Sequence, residues 1–419
     1  MCVRIQRGDR PRYPGGDQLN VAICRRRCFE HAAKVLFQAM SYNGGICVNK
    51  IQYRGEINMT ERVLSGGTSR SPGGGDRLCR AGTLTGGLHR CMALVFGMML
   101  AMSAFQSRAA ELVVYSERIE GLIKPLFDAY TRETGVEINF ITDQAGPLIE
   151  RLKAEGAGTP ADLLLTVDAG SLWQAAQAGV LAPVESDVLD ANIPAHLRDP
   201  DHRWFGLSVR ARTIVYSTER VSPAELTTYE DLASPKWRGR LCLRTSKKVY
   251  NQSLVAMLLE RLGPKEAERV VRGWVANLAT EPFSSDTKLM EAIAAGQCDV
   301  GIVNTYYYGR LHKDKPGIKL ALFWPNQASS GVHVNISGAG VTRHARHRDE
   351  AVRLLEWLSG GEAQGAFADL NLEYPANPAV QPDPVVAAWG DFKPDTINVA
   401  VAGRRQAEAV MLMDRAGYR

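Results

Sequence analysis

Cysteine is nearly absent from most of this chain. Of eight, six fall before residue 92 (Cys2, Cys24, Cys28, Cys47, Cys79 and Cys91), leaving Cys242 and Cys298 beyond it. The six are spaced too irregularly for a recognisable zinc site. Histidine is equally sparse and unclustered: His333, His344 and His347 fall on a strand or a basic surface loop, so no His or Cys set for zinc or copper is offered. No Gly-Xaa-Ser-Xaa-Gly elbow, His-Glu-Xaa-Xaa-His or phosphate loop stands at a strand-to-helix turn, which argues against an enzyme. Asp143 and Asp168 fall at sheet edges, where turns and helix caps account for them. No repeat of solenoid length occurs.

Long apolar runs are also missing, with one short exception. Residues 92–105 (MALVFGMMLAMSAF) follow His89 and Arg90 and precede the small residues of Ser107-Arg108-Ala109-Ala110. This is the layout of a signal peptide over 92–110, and the run falls short of the roughly 20 residues of a membrane span. Residues 1–91 precede it without sustained periodicity and read as an unstructured or misassigned upstream extension, with the true start near Met92. The formal net charge of +5 conceals an asymmetry: residues 1–110 carry 16 Lys and Arg against 6 Asp and Glu, leaving 34 against 39 beyond them. A basic excess confined to a Gly-rich leader gives no reason to expect nucleic-acid binding. Export to the periplasm would put Cys242 and Cys298 where oxidation is permitted, and their even number predicts one disulfide, two separately buried thiols being the alternative.

From Glu111 onward, short apolar strands alternate with amphipathic helices. LVVYS (112–116), a helix over 119–134, VEINFIT (136–142), a helix over 146–155, ADLLLTV (161–167) and a helix over 170–178 predict a parallel sheet covered by helices. A second series runs through strand 212–218, strand 240–245, helices over 251–262, 265–278 and 287–295, and strand 299–304. VNISGAGVT (334–342) then returns to the first lobe, followed by helix 349–359. The expected fold is α/β with two lobes, 111–210 with about 330–419 and 211–329, each a mixed sheet flanked by helices, joined by crossing strands around a ligand cleft.

The run Asn304-Thr305-Tyr306-Tyr307-Tyr308 stands where strand 299–304 ends and a helix begins. Within a strand, three neighbours would alternate faces. In the first turn of a helix they lie about 100° apart, so two rings can reach one point. Asn304 or Thr305 would serve as N-cap, and the positive helix end favours ionised phenolates. Phenolate is a hard oxygen donor with an ordinary pKa of about 10, so it takes a metal acidic enough to displace the proton, and ferric iron satisfies that best. Tyrosine runs also serve packing and sugar stacking. Tyr216, in VRARTIVY (209–216), supplies a further phenol where the chain crosses into the second lobe. Tyr115, Tyr130, Tyr229, Tyr250, Tyr374 and Tyr418 are assigned to packing or surface.

Over residues 111–419 the chain resembles the bacterial periplasmic ferric ion-binding proteins of iron ABC transporters, within the type II periplasmic solute-binding superfamily. The resemblance lies in VVYSER (113–118), TDQAGPLIERLKAEG (142–156), ADLLLTVDAGSLW (161–173), GLSVRARTIVYS (206–217), SPKWRGRLCLR (234–244), YNQSLVA (250–256), GQCDVGIVNTYYYGR (296–310) and NISGAGVT (335–342). It implies ferric iron held by Tyr216, Tyr306 and Tyr307, with Tyr308 in packing, and delivery by a monomer to an inner-membrane permease. Some members add a histidine, sometimes with another tyrosine, from the loop after the first strand, where this chain has Ile119 and Glu120. That departure implies a site completed by a small anion such as carbonate, or by Glu120. Arg118 is the candidate for holding the anion because a guanidinium offers paired donors to a planar oxyanion, with Thr213 and Arg210 as further candidates. The alternative is a receptor for a small organic or anionic solute of polyamine, thiamine or phosphonate type, with arginines clamping it. A polyamine would call for several carboxylates, whereas this chain offers phenols and arginines.

Overall fold

The computed structural model describes residues 111–419; the expected signal peptide at 92–110, the upstream extension and the six early cysteines lie outside the described residues. The chain opens with β1 (Glu111–Ser116), α1 (Glu120–Thr134), β2 (Glu137–Thr142), α2 (Ala145–Glu155), β3 (Leu163–Thr166) and α3 (Ala169–Gln177). β1 pairs in parallel with both β2 and β3, the pairing that helical crossovers between strands allow. Alternation along the strands divides the apolar residues between two layers. Val114, Leu163 and Leu165 pack on one face with Phe127 and Leu354, while Tyr115 and Leu164 pack on the other with Leu148 and Leu172.

β4 (Phe205–Ser217) is 13 residues long and buried throughout. It is followed by β5 (Leu241–Cys242), α4 (Val249–Leu262), α5 (Pro264–Ala276), α6 (Asp286–Ala294), β6 (Val300–Asn304), α7 (Thr305–Asp314) and β7 (Leu320–Phe323). The chain returns through β8 (Val334–Val341), α8 (Arg348–Ser359), α9 (Gly361–Asn371) and β9 (Tyr374–Pro375), and ends in α10 (Gln406–Arg415). The strand order is β2-β1-β3-β8-β4-β6-β5, with β7 and β9 also on β4.

β4 joins the two lobes. Phe205 to Ala211 pair antiparallel with β8, whereas Arg212 to Tyr216 pair antiparallel with β6. Only the second half of this strand is legible in the sequence, because Ser208, Arg210 and Arg212 interrupt its apolar pattern. These side chains are buried by hydrogen bonding instead. The C-terminal end also departs from expectation: Leu412, Met413 and Tyr418 pack with Trp237, Leu254 and Val300 in the second-lobe core, not in the first lobe. Cys242 and Cys298 form the expected disulfide. Among the described residues, no helix is long and apolar enough to cross a membrane.

Candidate metal centre

β6 ends in extended backbone at Asn304, and α7 starts at Thr305, so Tyr306 and Tyr307 occupy the first helical turn. Asn304 stands at the N-cap position, but its side chain does not cap. Its Oδ1 accepts from Arg212 Nη1 at 3.0 Å, and its backbone N–H donates to Asp286 Oδ2 at 2.9 Å. The junction is therefore fixed by a buried ion pair, Arg212 with Asp286 at 3.1 Å, lying beneath the tyrosines.

Tyr306 and Tyr307 line a cavity of about 200 Å3 together with Glu117, Arg118, Arg210, Lys248, Tyr250, Arg310 and Glu373. Their ring centroids are 4.4 Å apart, and the Arg310 guanidinium lies 5.2 Å from the Tyr306 ring. Larger surface cavities exist, including one of about 580 Å3 lined by Lys153, Arg343 and His344, but none of their lining residues is one of these tyrosines. Among the described residues, no group of three or more His, Cys, Asp or Glu could hold a metal, so phenols are the donors concentrated at this cavity.

A third phenol lining the cavity is that of Tyr250, and Tyr216 is not among the lining residues. Tyr250 sits in the first turn of α4, the same kind of place that Tyr306 holds on α7. The Arg210 and Arg244 guanidiniums each lie 5.6 Å from its ring, and Arg244 lies 5.7 Å from that of Tyr307. Burial raises the Tyr306 hydroxyl well above its ordinary range, and the neighbouring Tyr250 and Tyr307 push it further. Burial raises Tyr250 too, against the opposing charge of Arg210. Tyr216 shares a strand face with Arg210 but stands six residues beyond it, about 20 Å along the chain. It packs in the second-lobe core with Ile214 and Leu226. The signal that would have singled out Tyr250 is its position at a helix start, which the tyrosine run already illustrates.

The arginines expected to hold an anion reach the cavity already engaged. Arg118 Nη2 donates to Glu373 Oε2 at 2.6 Å, Ser337 Oγ at 2.8 Å and Ser208 Oγ at 3.2 Å, and its guanidinium lies 4.3 Å from the Phe367 ring. Arg210 donates to Ser337 Oγ at 3.0 Å, to Ile336 O at 2.8 Å and to Val167 O. Arg118 Nε and Nη1 and Arg210 Nε are buried without a partner among the described residues. Burial opposes ionisation of Glu373, yet Arg118 and Arg210 hold its carboxyl below the usual range. Thr213 does not line the cavity: its hydroxyl donates to Phe323 O at 2.6 Å within the second-lobe sheet. Glu120 is likewise absent from the lining, exposed at the start of α1. Glu117, three residues earlier, is in the lining and was not singled out by its sequence context. Asp168 caps α3 through Gly170 N at 2.8 Å, and its second oxygen accepts from Ser253 Oγ at 3.0 Å on α4, tying the Tyr250 helix to the first lobe.

The chain has relatives among known proteins. Residues 125–394 match the model of the bacterial extracellular solute-binding protein family. Iron uptake protein A2 of Synechocystis is 45% identical over 334 residues, covering 78% of this chain and 94% of that protein. Iron uptake protein A1 of the same organism is 42% identical over 315 residues, covering 74% and 88%. The solved structure of Trichodesmium IdiA (FutA) in complex with iron and citrate superposes with a TM-score of 0.72 at 44% identity, covering 74% of this chain and all of that one. On its sequence and its fold alike, this chain belongs to the bacterial extracellular solute-binding proteins.

Proposed function

We propose that this chain is a periplasmic ferric-ion receptor that binds its cargo through the phenolates of Tyr250, Tyr306 and Tyr307 and hands it to an ABC transporter permease. The observation that carries the reading is the meeting of three tyrosines from two helix N-termini in one cavity flanked by Arg118, Arg210, Lys248 and Arg310. Three phenolates neutralise a trivalent ion, and the Arg210 charge opposes the rise that burial imposes on the Tyr250 and Tyr306 hydroxyls. A small anion such as carbonate takes further coordination positions, attracted by the unpartnered nitrogens of Arg118 and Arg210. The similarity to iron uptake proteins and to a structure holding iron and citrate supports the same cargo.

Ferric titration of the protein expressed from Met92 tests this. A visible phenolate-to-ferric band should grow to saturation, and it should fade on acidification because each ligand must lose its proton to bind. A colourless titration would sink the proposal and leave an organic or anionic solute as the cargo. The cationic lining disfavours a polyamine within that alternative.

A further inference from the structure

All three phenols come from the second lobe, Tyr250 on α4 and Tyr306 and Tyr307 on α7. A site built from one lobe could bind iron without drawing the other lobe to it. A first-lobe donor would couple occupancy to closure, because an ion can shift a conformational equilibrium only by contacts that differ between the two states. The first-lobe part of the cavity holds two carboxylates, Glu117 and Glu373. Glu373 is committed to Arg118 at 2.6 Å and to the Ser208 hydroxyl. Glu117 is not so committed. Its Oε2 accepts the Val167 N–H at 2.9 Å, and its Oε1 has no hydrogen-bond partner among the described residues.

The backbone around Glu117 is well held. Its own N–H donates to Leu165 O at 2.8 Å, and the next turn is closed by Arg118 N on Ser116 Oγ at 3.1 Å and by Ser116 Oγ on Arg118 O at 3.0 Å. The carboxylate is mostly buried and lies close enough to Tyr250 for its charge to bear on that phenol. Burial raises its pKa, opposed by the Val167 N–H and by Arg210 and Lys248. This is a hard anionic oxygen held at the cavity beside one proposed ligand, with cations near enough to offset a fourth negative charge on the ion.

Resting on the tyrosine reading above, we infer that Glu117 is a direct ligand of the ferric ion, supplied by the first lobe, and the contact through which bound iron holds the lobes together. Three phenolates, one Glu117 oxygen and a bidentate small anion complete an octahedron. Glu120, exposed and outside the cavity lining, is not part of that octahedron.

The test compares wild type, Glu117→Gln and Glu120→Gln by ferric titration in bicarbonate buffer, citrate competition and small-angle scattering with and without iron. Gln retains an oxygen for the Val167 N–H, so the apo fold should survive, and apo melting checks this. Lost outer-shell partners alone cost metal affinity about 10- to 100-fold, so Glu117→Gln should weaken ferric binding by at least about 10-fold. It should move the visible band to longer wavelength, since a less electron-rich iron accepts phenolate charge more readily, and it should abolish iron-induced compaction. Glu120→Gln should match wild type. A Glu117→Gln protein with wild-type band, affinity and compaction overturns the inference, and so does weakened binding with an unmoved band, which would assign Glu117 an action through space. If Gln does not fold, Glu117→Asp should show the same band shift through a shortened reach, and its absence is equally fatal. A wild type with no visible band would instead overturn the tyrosine reading itself.

Discussion

At the scale of single residues, Tyr216, Tyr250 and Tyr308 are all substantially buried phenols near the end of a strand or the start of a helix, and they differ in what their hydroxyls can reach. Tyr308 Oη donates to Leu320 O at 3.3 Å, and its ring packs on His312 and Trp389. Tyr216 lies among Ile214, Leu226 and Trp237. Tyr250→Phe should therefore weaken ferric binding by at least about 10-fold, while Tyr216→Phe and Tyr308→Phe leave it within about twofold, measured by citrate competition. Loss of colour in Tyr216→Phe with retention in Tyr250→Phe would reverse the assignment. The adjacent pair is legible in the sequence because neighbours in a first helical turn share a local geometry that any helix imposes. The third tyrosine is not, because its approach to the pair depends on where two separate helices begin in space.

At the scale of elements, the strand that delivers the tyrosine pair is stapled to its neighbour. Cys242 closes β5, Cys298 stands just before β6, and the two strands pair in parallel. Val215, Leu289 and Val303 pack around the disulfide. The bridge spans a sequence separation of 56 residues. In the chain-entropy account a loop of that size stabilises by about 4 kcal/mol, an upper figure if the unfolded chain keeps structure. The double variant Cys242→Ala, Cys298→Ala should lose stability of that order in denaturant melts yet still colour with iron, since neither sulfur lines the cavity. Equal melting of the oxidised and reduced proteins would contradict it. The pairing follows from cysteine arithmetic alone, whereas the halving of β4 between two sheets does not. Its apolar periodicity stops at Arg212, and the residues before that point are satisfied by partners from distant segments.

At the scale of the whole molecule, the crossing between lobes concentrates buried charge. Arg210 and Arg212 point from one face of β4 to Glu373 and Asp286 respectively, and His333 lies beside them, fully buried, at the return crossing. Burial pushes the His333 pKa down to about 3, with Arg212 and Arg210 adding to the shift and Asp395 opposing it. The unfolded chain takes up a proton below about 6.5 while the folded chain resists until about 3. Between those values the unfolded state binds more protons, so stability falls as pH falls, by up to about 1.4 kcal/mol per pH unit from this residue. His333→Asn should flatten the acid limb of the stability profile between about pH 6 and pH 4 while wild type declines, as chemical denaturation at each pH will show. An unchanged slope would mean that His333 is protonated in the folded protein.

The sequence by itself determined the α/β alternation, the strand-to-helix junction bearing Tyr306 and Tyr307, the disulfide, and the arginines of the first loop and crossing strand. Each is written within a few residues or in a count, where helical and strand periods and the redox setting of a cysteine pair leave few alternatives. Tertiary structure alone decided that Tyr250 lines the same cavity as the pair, that Arg118 comes to the cavity already bound to Glu373, that Glu117 and not Glu120 is in the lining, and that the last helix packs in the second-lobe core. These relations join residues tens to hundreds of positions apart. Which pairs meet is set by the strand at which one sheet hands over to the next, and the spacing of residues along the chain carries no record of that choice.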